Sequence, residues 1–473
     1  MAGRRDGEQG ARGSRRWAAL VLLCVAQFVD VLDINAVVVA LPSIGRELGF
    51  SSGDLQWVIT AYTLLFGGFL LLAGRLADLY GRRRVFVVGL ALFSAASLGC
   101  GLSGSPLELI LFRAAQGLGA AIVVPAALAI ISATFPEGRE HDFAMGVWTA
   151  VAAGGGAAGL VVGGLITDAL GWEWIFFVNV LVGVASVALS FALLETSSDQ
   201  PASRRLDLPG AVTVTGGLVL LVYGLTRAEG AGFVSPLTLG AIALAAALLA
   251  AFLFVERSVS DPLVPLGIFG VRDLTGSALV AFANTATTSP VGVLSVIYLQ
   301  EVLTYSPAVA GLLGLPFSLS VVVGSFLGFR LVGRFGTGLT MVWGLLGICA
   351  AALVTAGISA GEGIGYVVSG ATLSGLALGC SAVASTTRGT SAVQDQRGLA
   401  SGLLNSSAQI GTAIGLAVLF TVAASRTDAL TGGGEPTSET LVAGYRLAFF
   451  AGAGLAVVAA LVAHSILREK ESA

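Results

Sequence analysis

WAALVLLCVAQFVDVLDINAVVVALP, residues 17–42, is the stretch from which the fold of this chain can be worked out. It is long enough to span a bilayer, because a membrane helix needs about 20 apolar residues. Two carboxylates, Asp30 and Asp33, nevertheless lie near its middle. An aspartate at the centre of a membrane helix costs about 2.5–3.5 kcal/mol on insertion scales. Residues three apart lie close together on a helix surface, so we expect this face to contact other helices or a water-filled cavity rather than lipid.

The composition of the whole chain is that of a multi-pass membrane protein. Its 473 residues are 55% hydrophobic and only 11% charged, which is too little charge to cover the surface of a soluble domain. The net charge of −3 provides no basic field for nucleic acid. Lys470, in the C-terminal tail, is the only lysine, so the chain holds neither a Walker A loop nor a buried lysine for a Schiff base. The cysteines and histidines lack the spacing of metal ligands, and we expect no metal and no cofactor.

Apolar runs of about 20 residues between polar breaks predict an all-α integral membrane protein with about fourteen helices. The predicted helices cover 17–42, 55–75, 84–103, 107–132, 143–169, 173–194, 208–226, 237–255, 274–300, 307–329, 338–359, 363–386, 399–424 and 443–467. The predicted domains are a tail (1–16), a six-helix bundle (17–194), a linker with two inserted helices (195–260), a second six-helix bundle (261–467) and a tail (468–473). No predicted loop exceeds about 20 residues on these spans, which argues against a membrane enzyme or receptor with a catalytic domain.

The positive charges predict how the chain is oriented. If the helices alternate, 20 of the 25 arginines and lysines fall on the side that holds both termini. Four arginines fall on the opposite side (Arg46, Arg227, Arg426 and Arg446), and Arg113 lies within a helix. Because cytoplasmic loops carry the excess of positive charge, both termini are expected in the cytoplasm, with the chain in a bacterial cell membrane.

A short loop motif occurs twice. GRLADLYGRRR (74–84) follows the second predicted helix, and RLVGRFG (330–336) follows the tenth, so that Gly81 aligns with Gly336. Two six-helix halves with similar loops are typical of transporters built from repeats. We expect the first loop to form a gate that latches the two halves on the cytoplasmic side. Its expected gate residues are Gly74, Arg75, Asp78, Gly81, Arg82 and Arg83.

Two later helices carry further signals. Arg113 is a charge within the fourth helix and needs a partner, for which the helix 1 carboxylates are the obvious candidates. Glycines recur in the fifth helix at a spacing that permits tight helix packing, with a pivot as an added possibility. These packing or hinge residues are Gly155, Gly159, Gly163 and Gly164.

Taken together, these motifs resemble the major facilitator superfamily, in its fourteen-helix drug:proton antiporter (DHA2-type) family. The loop 74–84 resembles the superfamily's loop between helices 2 and 3, and FRAAQGLGAA (112–121) resembles its helix 4 motif. LDINAVVVALP (32–42) resembles the family's helix 1 signature, and 298–316 and 397–415 resemble later family stretches. The resemblance covers essentially the whole chain and implies the major facilitator fold with two inserted helices.

The sequence also departs from the family pattern. The proline of the usual helix 5 motif is replaced by Leu160, which weakens the inference of antiport. Further departures lie near the expected cavity or its gates, at Asn35, Val38, Glu173, Leu181 and Ala408. Asp30 is an acid additional to the family pattern. The substrate therefore cannot be transferred by analogy.

The resemblance implies a secondary active exporter of drug-like molecules, with protons as the coupling ion and no enzymatic activity. In the family, the helix 1 acid and the helix 4 arginine are associated with proton coupling or substrate binding, and these roles carry over to Asp33 and Arg113. Asp30 would be a modulator or a second site. Two carboxylates against one arginine favour a cationic or amphipathic basic substrate. The residues expected to line the cavity with polar groups are Tyr62, Gln116, Asn284, Gln300 and Asn405.

Two alternatives stay open from the sequence. The chain could be a dedicated exporter of one metabolite or self-made antibiotic, or it could be an importer or facilitator that is not coupled to protons. Neighbouring genes would separate drug efflux from dedicated export. The expected partners are a small-molecule substrate and the lipid bilayer, without nucleic acid, and the expected oligomeric state is a monomer.

Overall fold

The computed structural model describes residues 2–51, 54–135, 138–195, 206–231, 235–393, 396–432 and 434–468. Thirteen helices in this part of the chain are long and apolar enough to cross a membrane. One of them, Pro307–Thr355, breaks at Gly336, whose φ of 80° and ψ of 167° are not helical. Thirteen helices with one broken into two give fourteen spans, and the predicted all-α membrane fold is confirmed.

We number the helices in chain order. The first eight are α1 (Ala2–Leu48), α2 (Trp57–Tyr80), α3 (Arg82–Gly101), α4 (Pro106–Thr134), α5 (Arg139–Leu170), α6 (Glu173–Leu193), α7 (Leu208–Ala231) and α8 (Pro236–Ser258). A short 3-10 helix, Leu266–Gly270, precedes α9 (Arg272–Ile297), and a π-helical turn, Tyr298–Val302, follows it. The two parts of the broken helix are α10 (307–335) and α11 (337–355), and α12 (Ile364–Ser391), α13 (Arg397–Thr431) and α14 (Ser438–Arg468) complete the chain.

The first helix differs most from its prediction. It begins at Ala2 rather than at residue 17, so most of the predicted N-terminal tail is helical, and it continues past Pro42 to Leu48. Its membrane-compatible part is Arg15–Leu48. The residues at its start are polar and have no apolar pattern. A search for apolar runs therefore cannot detect this part of the helix. Most of the polar linker at the start of the predicted domain 195–260, residues 196–205, lies outside the described residues, and so does the predicted tail 468–473 apart from Arg468.

The inserted helices lie against both halves of the molecule. α7 packs on α8 and also contacts α2 and α13. The Gln56 amide, just before α2, donates to the Thr226 hydroxyl at 3.4 Å, and the Thr421 hydroxyl of α13 donates to the Leu225 carbonyl at 3.4 Å. A Cβ at Gly68 of α2 would overlap the Thr215 side chain. α7 therefore covers a seam between one helix of each half.

The repeated loop motif has the same backbone conformation in both halves. Gly81 joins α2 to α3 with φ 90° and ψ 126°, and Gly336 joins α10 to α11 with φ 80° and ψ 167°. A positive φ combined with an extended ψ is open almost only to glycine. These two glycines therefore allow successive helices to reverse direction with a single residue between them.

Candidate functional site

Asp33 and Arg113 form an ion pair in the interior of the first half. The Arg113 Nη1 atom donates to Asp33 Oδ2 at 2.5 Å, and both side chains are excluded from solvent. The Arg113 Nε atom also donates to the carbonyl oxygen of Val58 on α2 at 2.9 Å. The guanidinium lies over the Tyr62 ring, 4.5 Å from its centroid. The structure thus brings the helix 1 acid and the helix 4 arginine together.

Two amides complete the shell of this ion pair. Gln116 accepts from Arg113 at 2.7 Å and donates to Asp33 Oδ1 at 3.1 Å and to the Ser97 hydroxyl at 2.9 Å. Asn179 of α6 donates to Asp33 Oδ1 at 2.6 Å. Asp33 therefore accepts hydrogen bonds from three side chains on two other helices. Asn179, the last residue of WEWIFFVN (172–179), was not predicted as a site residue.

Asp30 lies in the same half but has a different partner. Its Oδ1 atom accepts a 2.5 Å hydrogen bond from the Tyr62 hydroxyl, and both side chains are buried. Asp30 also borders a void of about 10 Å³ together with Asn179 and Ser186. Tyr62 links the two carboxylates, because its hydroxyl binds Asp30 while its ring lies under the guanidinium that binds Asp33. We call Asp30, Asp33, Tyr62, Arg113, Gln116 and Asn179 the carboxylate cluster.

Glycines of α4 bring the cluster together. A Cβ at Gly117 would overlap the carbonyl oxygen of Tyr62, and one at Gly119 would overlap the backbone of Phe93 on α3. Small residues let membrane helices approach each other closely. α4 can therefore sit near enough to α2 for Arg113 to reach the Val58 carbonyl.

A separate central cavity of about 340 Å³ lies between the two halves. Side chains of α1, α2 and α5 line it from the first half, and side chains of α9–α13 line it from the second. Its hydroxyl and carboxamide side chains are Asn35, Thr63, Thr285, Thr288, Ser289, Ser295, Thr355, Ser374, Gln409 and Thr412. The remaining lining residues are aliphatic or glycine, apart from Phe317.

The cavity is closed on the side opposite the termini. The Gln300 amide donates to the Val39 carbonyl of α1 at 2.8 Å, which ties the end of the α9 segment to the first half. α5 and α10 also meet at their ends on this side, where a Cβ at Gly311 would overlap the Leu160 carbonyl. Toward the terminal side of α5, a Cβ at Gly146 or Gly154 would meet nothing within 4 Å. The close contacts between α5 and α10 thus lie at the closed end.

None of the five polar residues expected in the cavity lines it in this structure. Tyr62 and Gln116 are buried in the carboxylate cluster, and Gln300 belongs to the closed side. Asn284 accepts from the Ser381 hydroxyl of α12 at 3.0 Å inside the second half, and Asn405 is exposed on α13. Each buried member of this set has a partner on another helix, because a polar membrane side chain is stable where a neighbour can bind it.

Several departures from the family pattern do lie in the cavity wall. Asn35, Val38 and Leu160 are lining residues. The carbonyl of Ala408 accepts from the Thr285 hydroxyl at 2.5 Å, next to the wall. Leu181, in contrast, is 68% exposed and lies away from the cavity.

The predicted gate loop has specific contacts. Arg75 donates to the carbonyl oxygens of Asp261, at 2.6 Å, and of Pro262, in the segment that leads to the second half. Arg83 donates to the Phe191 carbonyl of α6 at 3.1 Å. Gly74 does not mark a close helix approach, because a Cβ there would lie 3.9 Å from Pro125, an ordinary contact.

For two other predicted gate residues, no contact is described. Arg82 is half-buried, and the side chain of Asp78 lies outside the described residues. The latch itself stays a prediction.

The glycine stripe of α5 packs on α1 and reaches the second half. Added Cβ atoms at Gly155, Gly159 and Gly163 would press on successive turns of α1, from Phe28 to Ala36. Gly164 faces the other way, where a Cβ would overlap the backbone of Pro307 at the start of α10. Neighbouring glycines therefore contact different halves of the molecule.

Comparison with known proteins places this architecture in a family. Residues 23–271 match the model of the Major Facilitator Superfamily, which is more than half of the chain. The chain belongs to this superfamily. The puromycin resistance protein pur8 of Streptomyces alboniger is 38% identical over 468 residues, covering 97% of this chain and 93% of the relative. The cephamycin export protein CmcT of Amycolatopsis lactamdurans is 38% identical over 436 residues, covering 88% and 87%.

Solved structures of other transporters share the fold. An inward-facing bacterial homologue of the human lysosomal transporter Spinster aligns with a TM-score of 0.64 at 17% identity, covering 96% of this chain and 97% of that one. The POT family transporter PepTSo aligns with a TM-score of 0.67 at 14% identity, covering 96% and 98%. The predicted resemblance to the superfamily is thus confirmed, and this chain is a multi-pass membrane transporter.

Proposed function

We propose that this transporter is a secondary active exporter of drug-like amphipathic molecules in the bacterial cytoplasmic membrane. Protons that enter the cell drive the substrate out by alternating access of the central cavity. The observation that carries the proposal is the solvent-excluded Asp33–Arg113 pair, whose carboxylate belongs to α1, a helix that also forms the cavity wall. The relatives named for puromycin resistance and cephamycin export support the direction of transport.

α1 connects the two sites physically. Asp33 points into the carboxylate cluster, whereas its neighbours Ile34 and Asn35 line the cavity. A movement of α1 that follows substrate binding would therefore change the distance between Asp33 and the guanidinium on α4. In general, a carboxylate that loses its cationic partner in a low-dielectric interior takes up a proton more readily. Substrate binding and protonation are coupled in this way through one helix.

The alternating step requires the closed side to open. The Gln300–Val39 bond and the contact of α5 with α10 would separate, while the terminal side would close. The Arg75 bonds to the Asp261 and Pro262 carbonyls lie on that terminal side and would hold the gate loop against the linker to the second half. As proposed, the cycle uses protons alone, needs no metal or organic cofactor, and runs in a monomer.

The test uses the purified transporter in liposomes that contain a pH-sensitive dye. A pH gradient is imposed, and puromycin or chloramphenicol is added to wild type, Asp33→Asn and Asp30→Asn. We expect substrate-dependent proton movement in wild type, its loss in Asp33→Asn, and an altered pH dependence in Asp30→Asn. Substrate flux without proton movement in wild type would show a facilitator instead, and unchanged coupling in Asp33→Asn would refute the role of Asp33.

A dedicated exporter of a single antibiotic is the second candidate. It is favoured by full-length relatives that are each named for one compound, such as puromycin or cephamycin. Competition in the same liposomes separates the two candidates. A multidrug exporter is inhibited by several unrelated antibiotics, whereas a dedicated exporter responds to one chemical class.

A further inference from the structure

The wall of the central cavity is polar but uncharged. Ten of its described lining residues carry a hydroxyl or carboxamide group, and none carries a formal charge. The expectation of a cationic substrate came from two carboxylates against one arginine, but neither Asp30 nor Asp33 lines the cavity. The Asp33 carboxylate is bound by Arg113, Gln116 and Asn179 inside the first half.

The hydroxyl groups of this wall mostly present acceptors. Five of the eight donate their hydrogen to carbonyl oxygens one turn earlier in their own helices, those of Thr63, Thr285, Thr288, Ser295 and Thr355. A hydroxyl whose hydrogen is engaged still offers lone pairs. The Asn35 amide likewise donates to the Val31 carbonyl at 2.9 Å, which leaves its Oδ1 atom to accept. The wall therefore matches a ligand that brings O–H or N–H donors.

The groups that would stabilise a permanent cation are missing from the described wall. It contains no carboxylate, and Phe317 is its single aromatic residue, so it forms no aromatic cage. A charge moved from water into such a cavity loses its hydration without gaining a counter-charge. Cation–π stabilisation needs an aromatic face close to the cation, and cages use several of them. A quaternary cation also has no N–H to offer to the acceptors.

We propose that the central cavity selects uncharged amphipathic molecules that carry hydroxyl or amide donors, and that it rejects permanent cations. Its volume of about 340 Å³ is in the range of pockets for drug-sized ligands, roughly 300–1,000 Å³. The aliphatic part of the wall binds the apolar body of the ligand, and the acceptors bind its donors. This inference rests on the proposed function in one respect, because it takes the central cavity as the substrate site.

Equilibrium binding tests the selectivity without requiring transport. Radiolabelled chloramphenicol, which is neutral and carries hydroxyl and amide donors, is compared with radiolabelled tetraphenylphosphonium, a permanent cation. The full-length protein in lipid nanodiscs is used as wild type and as Gln409→Glu, which places an isosteric carboxylate in the cavity wall. Gln396→Glu is the matched control, because Gln396 is exposed just before α13 and outside the cavity.

We expect wild type and Gln396→Glu to bind chloramphenicol and to show no saturable binding of tetraphenylphosphonium. Gln409→Glu should gain saturable binding of tetraphenylphosphonium, at least about tenfold tighter than the weakest binding the assay detects, since a close counter-charge in a low-dielectric site contributes more than about 1.4 kcal/mol. Saturable binding of tetraphenylphosphonium to wild type as tight as that of chloramphenicol would overturn the proposal. So would a failure of wild type to bind chloramphenicol.

Transport in the liposomes separates this inference from the proposed function. If binding follows the expected pattern but no proton movement accompanies flux, proton coupling fails and the selectivity stands. If protons drive the efflux of tetraphenylphosphonium from wild type, the selectivity fails and the coupling stands.

Discussion

Replacing one partner of the Asp33–Arg113 pair should destabilise the transporter, and the two partners should not be equivalent. Asp33→Asn leaves the guanidinium buried without a counter-charge, although Val58 and Gln116 still accept from it. Removing one partner of a buried ion pair costs about 3–5 kcal/mol. We expect Asp33→Asn to lose about 3 kcal/mol of the free energy of unfolding, the lower end of that range, because these two acceptors remain.

Arg113→Gln should cost less. Asp33 then keeps its hydrogen bonds from Gln116 and Asn179. A carboxylate can also become neutral by taking up a proton, whereas a guanidinium cannot lose one in a protein. The remaining loss is that of hydrogen bonds and packing, about 1–3 kcal/mol. The double variant Asp33→Asn/Arg113→Gln removes both charges and should be more stable than Asp33→Asn alone.

Steric trapping in lipid discs measures the free energy of unfolding of wild type, the two single variants and the double variant. The double-mutant cycle should give a coupling of at least about 1 kcal/mol, which is the size expected for residues in direct contact. Additive losses in the cycle would refute the ion pair as the stabilising interaction. An Arg113→Gln variant that is less stable than Asp33→Asn would refute the argument from protonation.

Single contacts elsewhere in the fold give three further predictions. Gly117→Ala should cost about 1–3 kcal/mol of stability by forcing α4 away from the Tyr62 carbonyl. Gly154→Ala, whose Cβ meets nothing within 4 Å, should be neutral or slightly stabilising. Melting temperatures compare the two variants, and equal decreases in melting temperature would contradict the close approach at Gly117. Gln300→Leu removes a hydrogen bond between the halves worth about 0.5–1.5 kcal/mol. Hydrogen–deuterium exchange should therefore rise at the closed ends of α1 and α9. Unchanged exchange there would count against this contact. Tyr62→Phe removes the donor to buried Asp30 and should cost about 1–3 kcal/mol, while Asp30→Ala/Tyr62→Phe should cost little more than Asp30→Ala, which removes the acceptor; a double-variant cost equal to the sum of the single costs would show that the hydrogen bond does not form.

The sequence predicted the carboxylate cluster better than the cavity, for a physical reason. A charge within a membrane helix needs a partner in the same low-dielectric interior, so Arg113 could be assigned to the helix 1 carboxylates from the order of the residues alone. No comparable rule fixes Asn284 or Asn405, because a neutral amide can bind to any neighbouring helix or point outward. Asn284 contacts Ser381 inside the second half, and Asn405 is exposed.

The sequence by itself determined the number of spans, their order and the repeat of the Gly81 and Gly336 loops, because hydrophobic length and glycine backbone freedom are local properties. The tertiary structure alone decided which face of each helix meets the cavity. Neighbours on α1 illustrate this, since Asp33 turns into the carboxylate cluster while Ile34 and Asn35 turn to the cavity. Helical periodicity shows that adjacent residues point in different directions. Whether a given direction faces the protein interior, a cavity or lipid is set by helices that pack from distant parts of the chain.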